Sequence, residues 1–251
     1  MCLVVVALSA HPVYDLVLAA NRDEYHARPA APASWGRDEP FRDILAGRDL
    51  LAGGSWLGVR RDGQFALVTN VRDGKGQDPT ARSRGELVTH ALNGTTLAGI
   101  AAEKTRFNGF NLLTGDASRV RWMSNRSEAT REVTRGMHGL SNALLDVPWP
   151  KVVRTQERFA AWASRGETDT AALFAALADQ VPAPDVELPS TGVTVEWERV
   201  LSSPFIVTER YGTRCSTVFT VDRSGSARFH ERTFAPDGST AGEVVEEFAL
   251  G

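Results

Sequence analysis

Leu3 to Leu8 is an unbroken apolar run dominated by β-branched residues. A turn at Ser9-Ala10-His11-Pro12 and a second apolar stretch, Leu16 to Ala20, follow it. Together they predict a β-hairpin at the start of the chain. Residues 28–40 are rich in Pro and Ala and read as a loop. Ser55 to Arg60 and Gln64 to Val71 flank Asp62-Gly63, a two-residue hairpin signal. Ser83-x-x-Glu86 ahead of Leu87, Val88 and Leu92 is a capping-box pattern and predicts a helix start. Thr96 to Lys104 continues as helix. Gly109 to Thr114 and Val120 to Ser124 read as a hairpin around Gly115-Asp116. Apolar residues near a 3.6 period predict helices over Lys151 to Arg165 and Thr168 to Asp179. A Pro-containing connector, Val181 to Gly192, precedes strands at Ser216 to Asp222, Ala227 to Phe234 and Val244 to Phe248. Strands at both ends with helices between them predict an α+β fold, since hairpins rather than helical crossovers connect the strands. No linker divides the chain, so one domain over 1–251 is expected.

Composition narrows the function classes. The chain has 251 residues and a net charge of -3, with 28 basic and 31 acidic side chains. No basic excess points to nucleic acid or an anionic membrane. The first apolar run is too short to span a bilayer, and no basic n-region or cleavage site marks a signal peptide. A cytoplasmic protein is expected. Two cysteines, Cys2 and Cys215, build neither a disulfide framework nor a metal cluster, and five scattered histidines form no paired motif, so no metal is predicted.

Cys2 carries the candidate chemistry. A small second residue favours removal of Met1, which leaves the thiol and a free α-amine of pKa about 8 on one residue. Such an amine can take the thiol proton and later protonate a leaving amine. The second strand runs into Asn21-Arg22-Asp23-Glu24-Tyr25, an amide, a guanidinium and carboxylates at a strand end. The same residues also read as a polar loop with a surface Arg–Asp pair. In "AGRDLLAGGSWLG" the glycines read as turns around a strand, or as a loop wall with Trp56 packing on an apolar ligand. Arg82 and Arg84 lie in a polar stretch that is a candidate lid, where they either meet an anionic substrate or form a solvated face. His138 beside Gly139 reads as structural or as an acid–base group, and Cys215 as a small strand residue.

The segments "MCLVVVAL", "LAANRDEYHARP", "ILAGRDLLAGGSWLGV", "FALVTNVRD", "SRGELV", "NGFNLL", "GLSNALLDVPWPKV" and "YGTRCSTV" resemble, in order and spacing, the NRDE family, the transport and Golgi organisation family. That resemblance implies links to Golgi organisation and secretion and to lipid, haem and mitochondrial metabolism. A remoter similarity, to cholylglycine hydrolases and penicillin V acylases, implies a four-layer αββα N-terminal-nucleophile sandwich of antiparallel sheets. It also implies site residues. Cys2 matches the nucleophile and Asp23 the aspartate of the second strand. Asn70 matches the backbone oxyanion donor, Asn142 the side-chain oxyanion donor, and Arg214 a late arginine near the thiol. Asn21, Arg22 and Trp56 are the candidate substrate-binding residues. The hydrolases carry an arginine three residues before the aspartate, where this chain has Ala20. Arg22 neighbours Asp23 instead, and adjacent strand residues face opposite ways. Two readings follow. One is a hydrolase or acyltransferase acting on an amide or thioester of an acylated small molecule. The other is a non-catalytic carrier or adaptor binding haem or acyl-CoA, with a protein-interaction role in membrane traffic as a weaker third.

Overall fold

The computed structural model describes residues 3–251. Two antiparallel sheets form its centre. In chain order the elements are β1 (Leu3–Leu8), β2 (Tyr14–Tyr25), β3 (Ala30–Trp35), β4 (Ile44–Asp49), β5 (Leu57–Arg60) and β6 (Phe65–Asn70). Next come α1 (Glu86–Leu92), α2 (Leu97–Ala102), β7 (Phe110–Gly115), β8 (Val120–Ser124), β9 (Arg131–Val133) and β10 (Gly136–Leu140). The chain ends with α3 (Pro150–Ser164), α4 (Ala171–Leu177), α5 (Val195–Leu201), β11 (Tyr211–Asp222), β12 (Ser226–Phe234) and β13 (Thr240–Ala249). One sheet has the order β10-β1-β2-β11-β12-β13; the other runs β3 to β9 as a meander.

Strand alternation builds four layers. Val4, Val6, Leu8, Leu16, Leu18 and Ala20 face the second sheet, where they meet Leu57, Phe65, Leu67 and Trp122. Leu3, Val5, Ala7, Val17 and Ala19 face the other way, onto Val152, Phe159 and Trp162 of α3 and Leu173 and Leu177 of α4. On the far side of the second sheet, Ile44, Ala66 and Val68 pack under Leu87, Val88, Leu92 and Ile100 of α1 and α2. The order is helix–sheet–sheet–helix, an αββα sandwich. It explains why the first run lacks polar alternation: β1 is buried on both faces. Among the described residues no helix is long and apolar enough to cross a membrane.

Three expectations need correction. The Pro/Ala-rich stretch contains β3, an edge strand whose register shifts between Ala31 and Ser34, around Pro32. Proline is tolerated there because an edge strand leaves one side unpaired. The capping box does not form: α1 has no side-chain cap, and Glu86 instead accepts from Arg82 at 2.6 Å. The stretch between Ser124 and Lys151, in which no element was expected, supplies β9 and β10, and β10 pairs with β1.

Candidate active site

The register of the central hairpin sets the site. Leu3 pairs with Asn21 and Val4 with Ala20, so the described chain begins beside the polar end of β2. Cys2 itself lies outside the described residues. On its other side β2 pairs with β11, with Asp23 opposite Thr213 and Arg22 opposite Cys215. Arg214 is thus the extra residue of a β-bulge.

Asn21, Arg22 and Asp23 are all buried, yet their environments differ. Asn21 Nδ2 donates to the carbonyl oxygens of Leu177 and Pro204, each at 2.8 Å, and Oδ1 accepts from Ser216 Oγ at 2.6 Å. This candidate substrate contact therefore sits as a clamp between the sheet and α4. Asp23 Oδ1 accepts from the Thr213 hydroxyl at 2.7 Å, and that hydroxyl accepts from the Ile206 N–H at 2.9 Å. Arg22 lies on the intersheet side, its guanidinium 4.4 Å from the centre of the Trp56 ring. Gly47 makes room for that ring, since a Cβ there would lie 2.2 Å from it. Arg214 Nη1 donates to the carbonyls of Tyr25, His26 and Arg28 at 3.1, 3.3 and 3.1 Å, fastening the turn after β2. Burial lowers the Arg214 pKa, with Arg22 adding repulsion.

Asn70 and Asn142, 72 positions apart, are brought into contact. Asn142 Nδ2 donates to the Asn70 carbonyl at 3.0 Å, and the Arg72 N–H donates to the Asn142 carbonyl at 2.8 Å. A buried network holds the turn that carries Asn142. Thr69 Oγ1 donates to the Ser141 carbonyl at 2.9 Å. Asn111 Nδ2 reaches the Ala143 carbonyl at 2.8 Å, and Trp122 Nε1 donates to Asn111 Oδ1 at 3.2 Å. At the turn's far end, Asp146 Oδ1 accepts from the Gly139 N–H and Oδ2 meets His138 Nδ1 at 2.8 Å.

The Asp146 hydrogen bond raises the His138 pKa against the effect of burial. A histidine with a raised folded pKa contributes stability below its unfolded pKa of about 6.5, and that contribution is lost as pH rises through the folded value. We therefore expect His138→Ala to lower the melting temperature more at pH 5.5 than at pH 8.5. Equal losses at both pH values would show that the pair does not hold the turn.

A cleft of about 470 Å³ opens at this end of β2. Arg22, Asp23, Trp56 and Asn70 line it, with Arg28, Arg82 and Arg84 at its walls. Arg28 pairs with Asp49 at 2.7 Å, and Arg82 with both Glu86 and Glu103. A second cavity of about 210 Å³ shares Arg22 and Trp56 and adds Arg214, Cys215 and Glu231. Burial, then Glu231, pushes the Cys215 thiol well above its ordinary pKa, which disfavours the thiolate form that a nucleophile needs. Glu231 is fully buried, and its oxygens accept from the Ala33 N–H at 2.8 Å and the Thr217 hydroxyl at 3.3 Å. Sequence reasoning missed Glu231. Its signal was the two-residue period: Glu231 shares the strand face of Phe229, which is core.

Comparison with solved structures places the chain in the N-terminal-nucleophile hydrolase fold. The Caenorhabditis elegans N-acylethanolamine-hydrolysing acid amidase orthologue matches with a TM-score of 0.53 and 14% identity, covering 86% of this chain and 92% of that one. A variant of the conjugated bile acid hydrolase from Clostridium perfringens matches with a TM-score of 0.51 and 8% identity, covering 100% of this chain and 92% of that one. At such identities the likeness shows the fold alone. Sequence fixes the family. The model of the Transport and Golgi organisation 2 family matches residues 1–236, and the chain belongs to that family. It is 33% identical to the mouse Transport and Golgi organization 2 homolog over all of this chain and 99% of that protein. It is 35% identical to the human homolog over 93% of each.

Proposed function

We propose that the chain is an N-terminal cysteine hydrolase or acyltransferase acting on an amide or thioester of an acylated small molecule. The observation that carries this reading is convergence on one cleft. Asp23 and Asn70 line it, Asn142 is hydrogen-bonded to Asn70, and β1 enters the described chain opposite Asn21. Two solved proteins that share the fold are named as hydrolases. In this reading the Cys2 thiol gives its proton to its own α-amine, and the sulfur attacks the carbonyl carbon. The Asn70 N–H and the Asn142 amide receive the oxyanion. The carbon–nitrogen or carbon–sulfur bond then breaks, and the leaving group takes the proton from the α-ammonium. Water, or an acceptor nucleophile, attacks the resulting thioester, gives its proton to the α-amine and releases the acyl product, and the thiol is regenerated. Asp23, fixed by Thr213, positions the nucleophile, and Arg214 acts through the turn it fastens.

The lining favours this reading over carriage of haem or a long acyl chain. Eleven of the seventeen described residues around the larger cleft carry polar side chains, and among those described residues none is His, Cys, Met or Tyr, the side chains that ligate haem iron. The test offers Met1-free protein a panel of acyl amides and acyl thioesters. We expect turnover by wild type and none by Cys2→Ala. Turnover that survives Cys2→Ala would remove the nucleophile from the account.

A further inference from the structure

Arg22 and Trp56 form the wall between the two cavities, and both are more than nine-tenths buried. Each carries a buried donor with no acceptor among the described residues: Arg22 Nη1 and Trp56 Nε1. Buried donors are almost always satisfied, because leaving one unpaired costs its full desolvation, and a charged donor costs more. The acidic groups nearby do not supply the missing acceptor. Asp23 belongs to the opposite strand face and accepts from Thr213, and the Glu231 oxygens accept from Ala33 and Thr217. Burial raises the Glu231 pKa and the Arg22 charge opposes that rise, so the two groups act on each other without a hydrogen bond between them. Two adjacent orphan donors, one cationic, mark the position of an anionic acceptor brought by a ligand.

The smaller cavity gives that ligand its shape. Beyond Arg22 and Trp56 its walls include Ala30, Ala31, Pro32, Phe234 and Ala241. Its volume of about 210 Å³ has room for a short chain. We propose that this cavity binds a carboxylate on a short apolar chain, with its oxygens on Arg22 Nη1 and Trp56 Nε1. The inference deepens the hydrolase reading by naming a short-chain acid, the class of product such a hydrolase releases, that the smaller cavity accepts beside the Arg22–Trp56 wall. It is tested by binding alone, so it stands or falls separately from turnover.

The probes are butyrate and its neutral isostere butyramide, titrated calorimetrically into Cys2→Ala protein. Butyrate should bind about 10- to 100-fold more tightly than butyramide, the difference expected for a hydrogen bond to a charged donor. Arg22→Leu should remove that preference, and Trp56→Phe should weaken butyrate about 3- to 10-fold through loss of one neutral donor. Ala241 is exposed on β13, so Ala241→Trp fills the cavity from its rim without entering the core, and it should abolish binding. Equal affinity for acid and amide, or butyrate binding unchanged in Ala241→Trp, would overturn the inference even if Arg22→Leu failed to fold. Butyrate binding as expected in a protein that turns over no acyl donor would keep this site and remove the hydrolase reading.

Discussion

Asn142→Ala should slow turnover of an acyl substrate by about 10²–10³ while leaving the rate of Cys2 alkylation by iodoacetamide within about twofold of wild type. The Asn142 amide carries two N–H groups. One holds the Asn70 carbonyl at 3.0 Å, which orients the group and leaves the other for an oxyanion. A donor aimed at charge that forms only in the transition state acts on the chemical step and not on substrate affinity. The thiol needs no oxyanion donor to react with an alkyl halide, so the two measurements separate positioning of the hole from activation of the nucleophile. Asn142→Asp keeps the shape but offers an acceptor, and it should fare no better than alanine. A loss of less than about fivefold would place the oxyanion elsewhere.

The second large effect is on stability. Trp122→Ala should cost about 3–5 kcal/mol, measured by chemical denaturation, because it empties a fully buried site between the sheets. In a chain of this size that corresponds to a fall in melting temperature of roughly 6–20 °C. Trp122 also donates to Asn111, which in turn holds the Ala143 carbonyl next to Asn142. Trp122→Phe keeps most of the ring volume but leaves Asn111 Oδ1 without its donor, and about 1–3 kcal/mol should be lost. A loss below about 1.5 kcal/mol for Trp122→Ala would mean that the intersheet layer closes around the gap.

The layers were legible where pattern and burial agree. The β-branched run at Leu3–Leu8, the Asp62-Gly63 turn and the 3.6-residue period of Lys151 to Arg165 each map onto an element. β3 was hidden because Pro32 and its alanines satisfy loop composition as well as an edge strand does. β10 was hidden because Gly136 and Gly139 interrupt its side chains, leaving only Met137, His138 and Leu140, and no alternation is visible. Its strand state comes from pairing with β1, a contact across more than half of the chain. The site was partly legible. Family resemblance singled out Asn70 and Asn142, and the fold joins them across 72 positions. Local pattern did not reveal that Asn21 is a clamp to α4, that Arg214 fastens a turn, or that Arg22 stands against Trp56. Each depends on a register shift or a layer contact that no short window of sequence contains.

The most direct test of the account is capture of the covalent intermediate. Protein whose intact mass shows that Met1 is absent is mixed with an acyl thioester and quenched in acid within the first turnover. One acyl group is expected on the N-terminal peptide, on Cys2, and none on that peptide in Cys2→Ala. Turnover without that adduct, or an acyl group found on Cys215 instead, would contradict it.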